Sequence, residues 1–205
     1  MYDLLELYAR PHREEEPVIC VDEKSKQLLQ QTKPSIAARP GTPVKEDYEY
    51  KRAGTRNIFL AVEPTAGRRQ AKVTARRTKI DFVRFIGHLV EKVYAGAEKI
   101  HLVMDNLNTH FRGSFVEELG IERAEQMLER VEFHYTPKHA SWLNMAEIEI
   151  GIMDRQCTGG RLTSDASLKS EVSAWKRRRN QAKARIEWKF TRQDADQKLA
   201  RHYVS

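Results

Sequence analysis

Two apolar runs that each end in an acidic residue constrain the fold of this chain most strongly. Ile100–Met104 precedes Asp105, and Val18–Val21 precedes Asp22. Short apolar runs predict buried strands, and ligands gather at the carboxyl ends of strands in α/β sheets. A third acid, Glu147, stands at the start of a predicted helix. Because Mg²⁺ and Mn²⁺ prefer hard oxygen ligands, the three acids predict a divalent-metal site for phosphodiester chemistry. The alternative for any one acid is a residue that caps a strand or faces solvent.

The composition favours a soluble intracellular protein with one core. The chain has 205 residues, 40% of them hydrophobic, which suits one domain of ordinary size. No apolar stretch approaches the roughly 20 residues that cross a bilayer, so we expect no membrane partner. The first seven residues do not resemble a signal peptide. Cys20 and Cys157 lack zinc-ligand spacing, so the sequence predicts reduced cysteines and no zinc site.

The basic surplus predicts a polyanionic partner. The formal net charge is +7, and Lys and Arg concentrate in two clusters. The alternative for either cluster is a solvated helix face or strand edge. The first cluster contains Arg68, Arg69, Lys72, Arg76 and Arg77, and the second contains Lys176, Arg177, Arg178, Arg179, Lys183, Arg185 and Lys189.

The order of predicted elements indicates an α/β fold. Three antiparallel strands, a helix, a parallel strand, a helix, another strand and terminal helices describe a five-stranded mixed sheet flanked by helices. This order is typical of the ribonuclease H-like fold, in which the first and fourth strands are neighbours. We expect residues 1–16 to be a lead-in outside the core and 17–160 to form the catalytic domain. Residues 161–205 are expected to add a basic helical extension of that domain.

Three blocks of this sequence resemble the catalytic blocks of DDE-type insertion-sequence transposases of the mariner-like superfamily. They are Asp22-Glu23-Lys24, the Asp-Asn-x-Asn-Thr-His string of residues 105–110, and the His-x-Ser-x-Leu-Asn-x-x-Glu string of residues 139–147. The resemblance spans nearly the whole chain. It implies a ribonuclease H-like domain that uses two Mg²⁺ or Mn²⁺ ions to cut DNA at element ends and join it to a target.

The resemblance places the catalytic, metal-binding triad on Asp22, Asp105 and Glu147. Glu149 is the close rival of Glu147, but two positions along a helix turn a side chain by about 200°, so both cannot face one site. Asp154 lies on the face of Glu147 and is a candidate auxiliary acid, with a solvent-facing residue as the alternative. The candidate DNA-contacting residues are Asn106, Asn108, His110, His139, Lys176, Arg177, Arg178 and Arg179.

The resemblance also implies partners and leaves alternatives open. It implies transposon-end and target DNA, a homodimer, and a bacterial cytoplasmic protein that is nucleoid-associated when DNA-bound. Because no helix-turn-helix module precedes Val18, a separately encoded N-terminal DNA-binding polypeptide is a further candidate partner, and the activity of the isolated chain is open. The alternatives are a non-catalytic DNA-binding remnant that regulates a full-length transposase and another ribonuclease H-like nuclease.

Overall fold

A five-stranded mixed sheet forms the centre of the molecule. The computed structural model describes residues 1–45, 47–105 and 112–203. The strands are β1 (Val18–Gln31), β2 (Tyr50–Glu63), β3 (Arg68–Thr74), β4 (Ile100–Met104) and β5 (Val131–Tyr135). The sheet order is β3-β2-β1-β4-β5, with β1–β2 and β2–β3 antiparallel and β1–β4 and β4–β5 parallel. The predicted ribonuclease H-like fold is therefore confirmed.

Seven α-helices in the described ranges cover the two faces of the sheet. Helix α2 begins with a capping box, in which Thr78 and Asp81 each accept a hydrogen bond from the other's backbone N–H. Residues 112–129 form two helices rather than one, because Gly120 adopts φ +80° between them. The helices are α1 (Tyr2–Ala9), α2 (Lys79–His88), α3 (Arg112–Leu119), α4 (Ile121–Glu129), α5 (Met145–Met153), α6 (Asp165–Gln181) and α7 (Arg192–Tyr203).

Strand alternation in β1 separates the two layers of the core. Ile19 and Val21 pack with α2, α3 and α4 on one face. Cys20, between them, faces α1 and α5 on the other. Residues two and four positions beyond Cys20 therefore point toward α5, which places Asp22 and Lys24 on that face.

The N-terminal segment belongs to the core, so the expectation of a lead-in outside it is wrong for α1. Leu4, Leu5 and Leu7 are 1%, 3% and 1% exposed, and they pack with Cys20 and Val103. The helix has only eight residues, and its three leucines gain stability by covering the sheet rather than by helix propensity.

The C-terminal extension folds back on the same layer. Leu168, Val172 and Trp175 of α6 are buried against Leu60 of β2 and neighbouring side chains. The backbone N–H of Ile186 donates to the carbonyl of Pro64 at 3.0 Å, after which the chain leads to α7 beside α1. Among the described residues no helix is both long enough and apolar enough to span a bilayer.

Candidate active site

The first two predicted acids meet where β4 ends beside β1. Cys20 pairs with Val103 in the parallel register, and Asp22 and Asp105 each lie two positions farther along. Adjacent strands are about 4.8 Å apart, so the two acids occupy neighbouring positions on one face. Asp22 does not end its strand as expected, because β1 continues to Gln31 through its pairing with β2. Strand β4 ends at Met104, so beyond this point β1 has no neighbouring strand on the β4 side among the described residues.

The third predicted acid is held over the same face by the start of α5. Asn144 is fully buried, and its side-chain oxygen accepts the backbone N–H of Ala146 at 3.1 Å, which caps the helix. Its amide Nδ2 donates to the carbonyl of Val21 at 3.0 Å. One side chain thus joins the first turn of α5, which contains the exposed Glu147, to the residue that precedes Asp22.

The three carboxylates interact electrostatically. Burial, together with the charges of Glu147, Asp105 and Glu23, raises the pKa of Asp22 to about 7. The backbone N–H of Glu23 donates to Asp22 Oδ1 at 2.7 Å, and this hydrogen bond lowers the pKa of Asp22. A half-buried carboxylate that is repelled by two more acids needs a positive charge to remain ionised. This all-oxygen donor set fits a divalent cation of the magnesium or manganese type.

Glu149, the rival of Glu147, is part of a buried ion-pair network. Its side chain is fully buried and accepts from Arg69 Nε at 2.6 Å and from Arg179 Nε at 2.9 Å. Arg69 is also fully buried and donates to the carbonyl of Gly67 at 2.8 Å. Burial acts to raise the pKa of Glu149, but the two guanidinium groups hold it below its usual value. The two acids thus lie on opposite sides of α5.

The other acids near the triad also have basic partners. Asp154 forms an ion pair with Lys24 and accepts from the Thr158 hydroxyl at 2.6 Å. Asp154 therefore ties the turn after α5 to β1 as a half-buried residue, and its auxiliary catalytic role stays a prediction. Glu23, on the opposite face of β1, lies 3.4 Å from an Arg77 guanidinium nitrogen and is 2% exposed.

The predicted DNA-contacting residues fall into separate groups. Arg177 and Arg178 are exposed on α6, whereas Lys176 is half-buried and donates to Gln70 at 3.4 Å. Arg179 is committed to Glu149, so its predicted DNA contact conflicts with the ion pair that occupies its guanidinium. His139 is exposed at φ +64° in the turn before α5. The predicted contacts at Asn106, Asn108 and His110 lie outside the described residues.

Trp142 belongs to an aromatic cluster rather than to the core. It is 40% exposed, stacks on Trp188 with ring centroids 6.2 Å apart, and meets Phe190 edge-on at 5.4 Å. Through these contacts Trp142 docks the segment between α6 and α7 beside the turn that leads to Glu147.

The chain is similar to one protein family and to several solved structures. The family model described as DDE superfamily endonuclease matches residues 17–169, more than half of the chain. The structure of a "Mos1 transposase paired-end complex with left transposon end" aligns with TM-score 0.55 and 13% identity, covering 84% of this chain and 51% of that one. The "Mos1 Strand Transfer Complex" aligns with TM-score 0.50 and 15% identity, covering 84% and 50%.

A third structure, the "Mos1 mariner paired end complex with Mn", aligns with TM-score 0.50 and 16% identity, covering 89% of this chain and 56% of that chain. This chain thus corresponds to about half the length of the Mos1 chains. None of the curated proteins matches the sequence. At these identities the similarity to Mos1 shows a shared fold.

The contrast between Glu147 and Glu149 gives a first prediction. We expect Glu149→Gln to lower the free energy of unfolding by about 3–5 kcal/mol, because Arg69 keeps its buried charge without a carboxylate. Exposed Glu147→Gln is the matched control and should change stability by less than about 0.5 kcal/mol. Urea unfolding followed by circular dichroism measures both values.

The same experiment has a pH arm. The Glu149 pKa is lowered in the fold, so its contribution is complete above the ordinary value of 4.5 and is lost as the pH falls through the folded value. The stability gap between the parent and Glu149→Gln should therefore narrow below pH 4.5. Equal stability of the two glutamine variants at pH 7 contradicts the structural role of Glu149.

Proposed function

Because this chain belongs to the DDE superfamily endonuclease family, we propose that it is the catalytic domain of a transposase that cleaves DNA at transposon ends and transfers the cut strand to a target. The observation that carries the proposal is the convergence of acids from β1, the end of β4 and the first turn of α5. Burial and mutual repulsion at Asp22 make this cluster suited to cations.

Membership of this family implies a divalent metal ion. We propose that Asp22, Asp105 and Glu147 hold two Mg²⁺ or Mn²⁺ ions. When bound, such ions polarise a phosphodiester and lower the pKa of an attacking water. One of the structures with a similar fold is a Mos1 paired end complex with Mn, which supports manganese as a working cation.

The residues of the chain itself position this chemistry. The hydrogen bond from Asn144 to the Val21 carbonyl holds the first turn of α5, and therefore Glu147, next to β1. The Lys24–Asp154 pair holds the turn after α5 against the same strand. Rigid support of this kind matters because small displacements of catalytic groups reduce rates strongly. No side chain is proposed to form a covalent intermediate.

DNA is the proposed substrate, and exposed basic residues of α6 are its proposed contacts. The net charge of +7 supports this assignment. The similar folds of the Mos1 complex with a left transposon end and of the Mos1 Strand Transfer Complex support it too. The bacterial origin, the homodimer and the separately encoded DNA-binding polypeptide stay predictions of the resemblance.

The central experiment is nicking of supercoiled plasmid in Mn²⁺, Mg²⁺, Ca²⁺ or chelator. Asp22→Asn, Asp105→Asn and Glu147→Gln should each lower the nicking rate by about 100-fold or more, since each removes a charge that holds metal. The exposed Glu125→Gln is the control and should keep the parent rate.

Two results would contradict the proposal. Metal-dependent nicking that persists in all three variants rules out this triad. A parent protein that binds DNA without nicking it in any metal supports the non-catalytic regulator instead.

Basic residues on α6 give a separate prediction about DNA affinity. The double variant Arg177→Ala/Arg178→Ala should reduce the slope of log Kd against log salt by about 2 in magnitude, because two phosphate contacts are lost. Lys169→Ala on the same helix, whose amine pairs with Asp165 at 2.6 Å, should leave the slope unchanged. Fluorescence anisotropy on a labelled duplex measures it, and an unchanged slope in the double variant removes these residues from the interface.

A further inference from the structure

Two histidines and a glutamate form a cluster on the sheet away from the acidic triad. His101 of β4 pairs in register with Glu132 of β5, and His134 follows two positions later on the same face. The histidines are 4% and 6% exposed, while the Glu132 side chain is 44% exposed. His101 precedes Asp105 by four positions, which is about 13 Å along a strand.

The geometry of this cluster matches a small coordination sphere. His101 Nδ1 and His134 Nε2 are 3.0 Å apart. Glu132 Oε2 lies 3.7 Å from His101 Nδ1, and Glu132 Oε1 lies 3.5 Å from His134 Nε2. With one ligand atom from each residue, the three atoms lie within 4.8 Å of one another. Ligand atoms about 2.0–2.1 Å from a tetrahedral ion are about 3.3 Å apart, so a small rotation of the Glu132 carboxylate gives the separations of a bound ion.

A second carboxylate orients one of the histidines. Asp3 Oδ2 of α1 lies 3.0 Å from His134 Nδ1, on the side of the ring away from the cluster. A carboxylate accepts hydrogen bonds, so His134 Nδ1 donates to Asp3 and Nε2 faces His101 and Glu132. A carboxylate that holds one ring nitrogen while the other faces the ligand site is the arrangement that fixes metal-binding imidazoles in proteins.

The types of group around the cluster suit a cation. Burial lowers the pKa of His101, and the hydrogen bond from Lys99, 3.0 Å away, lowers the pKa of Glu132. Imidazole and carboxylate are the side chains that bind such metals in their deprotonated forms, and the Asp3 carboxylate stands behind His134.

We propose that His101, His134 and Glu132 form a site for a transition-metal cation of the Zn²⁺ class, with Asp3 as the group that positions His134. Imidazole ligands select such ions, whereas Mg²⁺ prefers an all-oxygen site. Binding requires the His101 proton on Nδ1 to move to Nε2, so the ring stays neutral and no net proton is released. The sequence analysis predicted no zinc site because neither cysteine has the spacing of zinc ligands. The three residues of this cluster are brought together by the register of β4 and β5.

The bound ion would stabilise the N-terminal layer of the fold. It joins β4 to β5 and, through Asp3, joins both to α1. Because α1 covers the sheet with three buried leucines, the ion acts on the attachment of this helix rather than on DNA chemistry. Partial exposure of Glu132 leaves a path from solvent to the site. This proposal does not depend on the proposed transposase activity.

The test uses protein in which Asp22→Asn and Glu147→Gln disable the acidic triad, so that the other candidate metal site does not contribute. We expect this protein to retain one Zn²⁺ after dialysis in 5-fold excess Mg²⁺, and Co²⁺ to give the visible absorption of a four-coordinate site. At a Zn²⁺ concentration of 100 times Kd, Tm should rise by roughly 5–10 °C. His88→Gln, which changes an exposed histidine, is the matched control and should behave like its parent.

Three variants locate the ion. His134→Gln should abolish Zn²⁺ retention and the Co²⁺ absorption. Glu132→Gln and Asp3→Asn change partly or largely exposed side chains and keep both imidazoles, so they test the site even if His134→Gln fails to fold. Each should weaken Zn²⁺ binding by about 10- to 100-fold. Absence of Zn²⁺ binding in the triad-disabled protein overturns the proposal, and so does Zn²⁺ binding in Glu132→Gln and Asp3→Asn that is as tight as in the triad-disabled protein.

Discussion

The hydrogen bond from the Asn144 amide to the carbonyl of Val21 sets the geometry on which the candidate active site depends. Asn144 is fully buried, and its side-chain oxygen also caps α5. Loss of either hydrogen bond would leave a polar group unsatisfied in the core. The bond therefore fixes both the start of the helix and its position over β1. Glu147 in the first turn and Asp22 next to Val21 are brought to the same place as a consequence.

The opposite side of α5 is held by charge. Arg69 and Arg179 converge on Glu149 from β3 and α6, which connects the helix to the far edge of the sheet and to the C-terminal extension. A buried network of this kind contributes little net stability compared with an apolar core, but removing one member is costly. It also engages Arg179 of the second basic cluster, whose exposed members Arg177 and Arg178 are the proposed DNA contacts. The helix thus presents a catalytic candidate and a structural acid only two residues apart.

Local patterns in the sequence predicted the sheet and most helices, because strand runs, the Thr78 capping box and helical stripes are encoded by neighbours. The sequence pointed to the first two acids through the ends of the apolar runs and to Glu147 through its motif, and the catalytic role of all three stays a prediction. The roles of Glu149 and Asp154 did not follow, since their partners are Arg69 and Lys24, far away in the chain.

Two other features that the sequence did not predict also depend on contacts between residues far apart in the chain. The leucines of α1 form too short a pattern to reveal burial, which depends on the surface the sheet offers. The His101–Glu132–His134 cluster arises from the register of β4 and β5, which is a tertiary property. Residues that act through long-range contacts were therefore the ones that the sequence did not reveal.

The most direct test of the central claim is anomalous diffraction from crystals of the chain grown with Mn²⁺. The account predicts manganese peaks within about 2.0–2.5 Å of carboxylate oxygens of Asp22, Asp105 and Glu147, with none at Glu149. Manganese bound elsewhere, with these three carboxylates free of it at saturating concentration, would contradict the assignment of this cluster as the catalytic metal site.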